Sequence, residues 1–178
     1  MSLIQMVVAG VTGAQDSGQG NNIAITIDTN SFTSGDPIPG DHKNNVGGQC
    51  TGANNSVQLE WTVTGTHGQV SELNLECWDI NGGSGSSRSG HFRHWFVTGL
   101  SATPGTYTLA ENADWGGSNP AGTPTGSDFG GGDRSNGWGG PCPPSGTHNY
   151  RIQIYPVDSN GNEVTGGVNY GTIVFTSS

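Results

Sequence analysis

Positive charge is almost missing from this chain. One lysine, Lys43, and four arginines stand against 14 acids, for a formal net charge of −9 over 178 residues. Nucleic acid and anionic membrane surfaces both require a cationic footprint, so neither is expected as a partner, and any anion site must be local. Long apolar runs are missing too, which excludes a membrane-spanning helix of ~20 residues. The opening Met1–Gly10 has no cationic region and too short an apolar run for a signal peptide. The expectation is a soluble, unexported protein, either cytoplasmic or part of a virion or extracellular assembly. Cysteine is scarce: Cys50, Cys77 and Cys142 are odd in number and fit no zinc spacing. A fully disulfide-bonded scaffold is therefore excluded, although a single pair stays open. No stretch has the 3.6-residue periodicity of an amphipathic helix.

Glycine is plentiful, with 32 residues beside 9 prolines, and it separates short runs of alternating polarity. Asn22–Asp28 reads as a strand with one buried face. Val57–Val63 has the cleanest period of two, placing Val57, Leu59, Trp61 and Val63 inward. Leu73, Leu75 and Cys77 repeat the pattern up to Trp78-Asp79-Ile80-Asn81. His91–Val97 is a dense aromatic strand, Thr106–Leu109 another, Tyr150–Tyr155 alternates, and Val168–Ser178 supplies a last strand with Ile173 and Phe175 on one face. Many short strands with turn signals between them predict an all-β domain over residues 22–178, a β-sandwich or a barrel.

The connecting segments divide by composition. Residues 1–21 form an N-terminal extension, an apolar strand candidate (Leu3, Met6, Val7, Val8) followed by a Gly-rich linker. Such an extension is either a tail or an arm that adds to another subunit's sheet. Residues 41–56 read as a polar loop, Gly82–Gly90 as a flexible Gly/Ser loop, and 111–140 as a long surface excursion poor in apolar side chains.

Three polar residues fall at strand ends beside structured loops: Asp79, His94 and His148. A carboxylate with two imidazoles serves equally as a metal triad, an acid–base set or an anion pocket, and spacing does not choose among them. HxxxH, HExxH, GxSxG and GxxxxGK[ST] patterns are all absent. No metal, cofactor or catalytic residue is therefore assigned. The stiffest loop is Gly140-Pro141-Cys142-Pro143-Pro144-Ser145-Gly146-Thr147-His148-Asn149-Tyr150, where proline and glycine set one backbone shape that delivers His148 and Tyr150 onto a strand.

That stretch resembles the second signature of the phosphatidylethanolamine-binding protein family, which includes the Raf kinase inhibitor proteins; the bacterial form is close to GPCPPSGTHRY. His94-Trp95-Phe96-Val97 resembles the HW-containing strand of the first signature, and Asp79-Ile80-Asn81 sits where the family carries DPD. Ile38-Pro39, Cys50 and Leu59-Glu60-Trp61 follow the family's order upstream. The resemblance covers about residues 23–160 and implies an all-β, Greek-key-like β-sandwich with a small surface pocket for a phosphate or similar anion. Residue by residue, it implies that Asp79, His94, His148 and Tyr150 line the pocket, with Pro141, Cys142 and Pro143 along its rim. Asp79 would orient a histidine and favour its protonated, anion-binding form. The chain departs from the family at Asn81, where relatives have aspartate, and at Asn149, where they have arginine. It departs again in Val168–Ser178, a strand in place of the usual C-terminal helix.

Two functions follow as expectations. One is a non-enzymatic binding module whose ligand-binding residues take a small anion. The other is a structural subunit of a larger assembly, such as a virion decoration, a fibre or a surface array, joined through residues 1–21 and edge strands.

Overall fold

Alternating burial along each strand separates two sheets that share one core. In the computed structural model, which describes residues 20–45, 50–82, 88, 90–111 and 138–178, eight strands are seen. They are β1 (Asn21–Asp28), β2 (Leu59–His67), β3 (Glu72–Asp79), β4 (Phe92–Leu100), β5 (Gly105–Leu109), β6 (His148–Val157), β7 (Val168–Asn169) and β8 (Gly171–Ser177). The order is β5-β2-β1-β7 in one sheet and β4-β3-β6-β8 in the other. All pairings are antiparallel except β1 with β7. Helical structure among the described residues is a single 3-10 turn, Gly40–His42. The C-terminal stretch divides between the sheets, with β7 beside β1 and β8 beside β6. The N-terminal strand candidate and most of the Gly/Ser loop and the excursion lie outside the described residues.

Ile23, Ile25, Leu59, Trp61 and Val63 face Leu73, Leu75, Cys77, Ile152, Ile154, Ile173 and Phe175 across the core. Each of these side chains comes from the predicted inward set of its strand, because a period of two puts every second residue on one face. The outer edge of β8 is paired within the chain. Gly35 and Ile38 donate to the Val174 and Thr176 carbonyls, and Asp36 accepts from the Thr176 amide. A sheet edge with its backbone groups so engaged no longer templates pairing with another molecule.

Two loop readings need correction. Residue 138 lies in the stretch read as a surface excursion, yet Trp138 is 1% exposed, packs edge-on against Trp95 at 5.4 Å and belongs to the core. Residues 41–56, read as polar loop, include the buried side chains of His42, Asn44, Asn54 and Ser56. In both places polarity and glycine content suggested solvent. The loops instead pack on one another, and His42, Asn44 and Asn54, bonded to backbone, stand where apolar groups would otherwise be buried.

Candidate functional site

The site forms at one end of the second sheet, where β3 finishes and β4 and β6 begin. Asp79 closes β3, and antiparallel register sets it opposite Phe92 on β4 and Tyr150 on β6. Its carboxylate is spoken for on both oxygens. Oδ1 accepts the amides of Asn81 (2.8 Å) and Gly82 (2.9 Å), and Oδ2 accepts Nδ1–H of His148 at 2.6 Å. The turn after β3 thus fixes the carboxylate, and the carboxylate fixes the imidazole. Gly82 leaves room for this arrangement, since a Cβ at that position would stand 2.9 Å from Asp79 Cγ and Oδ2 and push the carboxylate aside.

His94 reaches the same cluster through a β-bulge. The β3–β4 register passes from Cys77↔Trp95 to Trp78↔Arg93, which leaves His94 as the extra residue. A bulge re-aims a side chain. Here the His94 ring meets Tyr150 edge-on at 5.2 Å and Phe92 at 4.9 Å. Tyr150 is stacked on Phe175 at 5.2 Å, and its ring centroid is 6.5 Å from that of His148. The four residues that the family resemblance implies are therefore brought together.

Their chemistry is unequal. His94 is 4% exposed and donates Nδ1–H to the Gly139 carbonyl at 2.6 Å. Burial lowers its pKa to about 4, against the opposing pull of the Gly139 carbonyl and the Asp79 charge, so the ring is neutral at neutral pH. The histidine that Asp79 orients is His148 and not His94. Tyr150 is completely buried, and burial, then the Asp79 charge, drives its phenol far above the ordinary value. It serves as an aromatic floor. His148 keeps 18% of its side chain exposed and is the member of the set with the clearest outlet to solvent.

The rim residues divide as well. Pro141 is buried and its carbonyl accepts from Asn44 at 3.3 Å; Cys142 and Pro143 are half-buried. Cys142 is joined to Cys50, 92 residues away in sequence, so its sulfur is a crosslink and no thiol is left to meet a ligand. The single pair left open by the cysteine count is this one; Cys77 stays free and buried in the core. The two departures from the family signatures meet each other. Asn149 donates its backbone amide (2.7 Å) and Nδ2 (3.2 Å) to Oδ1 of Asn81. A neutral amide pair braces the turn beside Asp79, and the two positions that looked like separate losses form one contact. Among the described residues no three His, Cys, Asp or Glu side chains converge as a metal-holding group.

Sequence reasoning overlooked Asn54 and Trp138, which hold the loop bearing Gly139. The signal available for Asn54 was weak: asparagine tolerates left-handed backbone, and Asn54 has φ 58°. For Trp138 the signal was a single large apolar residue within a run of glycines.

The profile of the family described as phosphatidylethanolamine-binding protein matches residues 28–175. A Mycobacterium tuberculosis protein named as the lipoprotein LppC is 34% identical over 133 residues, 74% of this chain and 54% of that protein. A UPF0098 protein of Methanothermobacter thermautotrophicus is 33% identical over 110 residues, 62% of this chain and 65% of that one. The chain thus spans between about half and two thirds of these relatives' length. Among solved structures, Escherichia coli YbcL, described as a member of the mammalian PEBP family, superposes with a TM-score of 0.62 at 21% identity, covering 86% of this chain and 98% of its own. The Chlamydia trachomatis PEBP homologue CT736 gives 0.57 at 24% identity, covering 89% and 99%.

Proposed function

Because the chain belongs to the phosphatidylethanolamine-binding protein family, we propose that it is a non-enzymatic binding module that takes a small oxyanion, phosphate or carboxylate, at the Asp79–His148 end of its sandwich. The observation that carries this reading is the 2.6 Å contact between Asp79 Oδ2 and His148 Nδ1. With Nδ1–H given to the carboxylate, the second ring nitrogen is the one left for a ligand, and the fixed carboxylate holds the ring in one orientation. The chain's scarcity of lysine is no obstacle, since a single oriented imidazolium with backbone amides suffices for a small anion.

Titrating phosphate, phosphoethanolamine and acetate to millimolar concentration while following the histidine ring resonances tests the reading. His148 should shift saturably and more than His94. A His148 ring that does not respond to any of the three sinks it.

The Cys50–Cys142 bridge favours an oxidising compartment, since such bonds are rare in the cytosol. The description of the mycobacterial relative as a lipoprotein supports the same placement at a cell surface. No helix among the described residues is long and apolar enough to cross a membrane. The assembly reading loses one of its motives, because the extra C-terminal strand has its outer edge covered by residues 35–38.

A further inference from the structure

Gly139 is held along both edges of its backbone. On one edge its amide donates to the His94 carbonyl at 2.8 Å and its own carbonyl accepts Nδ1–H of His94 at 2.6 Å. On the other edge stand the peptide groups of its neighbours, and Asn54 takes both. Nδ2 of Asn54 donates to the Trp138 carbonyl at 3.0 Å, and Oδ1 accepts the Gly140 amide at 2.7 Å. A side-chain amide with one donor and one acceptor in this arrangement replaces a neighbouring strand, because successive peptide groups of an extended chain point to opposite sides.

Everything around Asn54 restricts where that amide can go. Its backbone is in the left-handed region at φ 58°, its own amide donates to the Lys43 carbonyl at 2.8 Å, and the residue is 4% exposed. Gly140 lies so close to the 42–44 backbone that a Cβ would meet the His42 carbonyl oxygen at 2.3 Å. Trp138 donates Nε1–H to that same carbonyl at 2.9 Å. The disulfide crosslinks the two segments a few residues away, Cys50 lying before Asn54 and Cys142 after Gly140.

We propose that Asn54 is the positioning residue of the site: by gripping the peptide groups on either side of Gly139 it holds the carbonyl that takes the Nδ1 proton of His94, and so decides which nitrogen of that ring carries hydrogen. Asn54 does this from the face of Gly139 opposite His94. The site then presents two imidazoles with Nδ1 committed, His94 to a carbonyl and His148 to the Asp79 carboxylate. The functional weight of this device rests on the reading that His94 lines a ligand site; the tautomer itself does not.

Nitrogen-15 NMR of the histidine side chains decides the matter in the full chain, comparing wild type with Asn54→Gly. Glycine keeps the left-handed backbone and removes only the side-chain amide. Wild type should show one His94 tautomer, protonated at Nδ1. Asn54→Gly should show both tautomers, with the Nδ1 proton exchanging with water about tenfold faster, as expected when the two hydrogen bonds that hold the Gly139 peptide groups are lost. The His148 signal, held by Asp79, should keep its Nδ1 proton in both proteins and reports an intact site end. A single Nδ1–H tautomer with unchanged exchange in Asn54→Gly overturns the proposal. Should that variant not fold, Asn54→Asp keeps the acceptor for Gly140 and gives up the donor to Trp138, and the same two results decide. Phosphate titration of the wild type is read separately: no binding defeats the ligand reading and leaves the tautomer result standing.

Discussion

Strand β3 carries two buried carboxylates three residues apart, and they do different work. Asp79 lies on the core side with His148 and Tyr150. Glu76 lies on the outer face, 6% exposed, beneath Arg88. Each has a cationic or potentially cationic partner and a tyrosine from β6, since Tyr155 donates to Glu76 at 3.5 Å. The outer cluster is saturated. Arg88 stacks on Tyr155 at 3.7 Å, lies 5.9 Å from Tyr170, approaches Glu76 at 3.7 Å and donates to Gln153 and Glu163. Burial and the Glu76 charge push the Tyr155 phenol up to about 12; burial alone would raise Glu163, but its bonds from Arg88 and Tyr170 hold it below its ordinary value. A guanidinium never gives up its charge near neutrality, so this cluster is a bolt. The Asp79 cluster uses an imidazole instead, with one edge toward solvent. More charge and more contacts mark the structural cluster at the middle of the strand, and a carboxylate–imidazole pair with one edge toward solvent marks the candidate site at its end.

The sharpest way to break this comparison is to remove the bolt. Arg88→Met should lower stability by about 3–5 kcal/mol, because Glu76 is left buried without its cation, while phosphate binding stays at the wild-type level; chemical denaturation and calorimetry report the two. Next, opening the Cys50–Cys142 bridge by Cys50→Ala with Cys142→Ala should cost about 2–5 kcal/mol in the same denaturation assay.

A third test uses pH. His94 is neutral when folded, with its pKa lowered by burial to about 4 from 6.5. The unfolded chain takes up this proton first, so the contribution is fully present above about pH 6.5 and is lost as pH falls toward 4. That loss amounts to about 3 kcal/mol at most. Denaturation curves at a series of pH values should flatten over that window in His94→Gln.

Smaller effects sharpen the comparison at the site. Asp79→Asn keeps one oxygen for the Asn81 and Gly82 amides but replaces the acceptor of His148 Nδ1–H by an NH2 donor and removes the charge, and should cost about 1–2 kcal/mol of stability. Gly82→Ala, which crowds Asp79, should cost about 1 kcal/mol as well and shift the His148 ring signals without unfolding the chain.

The core of the fold was legible from the alternation of Val57–Val63, Leu73–Cys77 and Tyr150–Tyr155, because a half-buried strand must alternate. Asp79, His94, His148 and Tyr150 were legible only together with the family signatures, since no local spacing relates residues on three strands. The braces were not. Asn54, Trp138 and Arg88 sit in polar or glycine-rich loops, and they are covered by long-range packing, Asn54 on the 138–140 segment, Trp138 on Trp95 and Arg88 on Glu76 and Tyr155, which leaves no period in the sequence. Asn81 and Asn149 looked like independent departures until the register of β3 and β6 put them in contact.

The most direct measurement of the central claim is the affinity for inorganic phosphate of wild type, Arg88→Met and Asp79→Asn, taken by calorimetry under conditions where all three are folded. The predicted result is a Kd for Arg88→Met equal to that of wild type and one for Asp79→Asn weaker by about tenfold, a difference of about 1.4 kcal/mol. An Arg88→Met protein that loses binding while Asp79→Asn retains it would contradict the assignment of site and bolt.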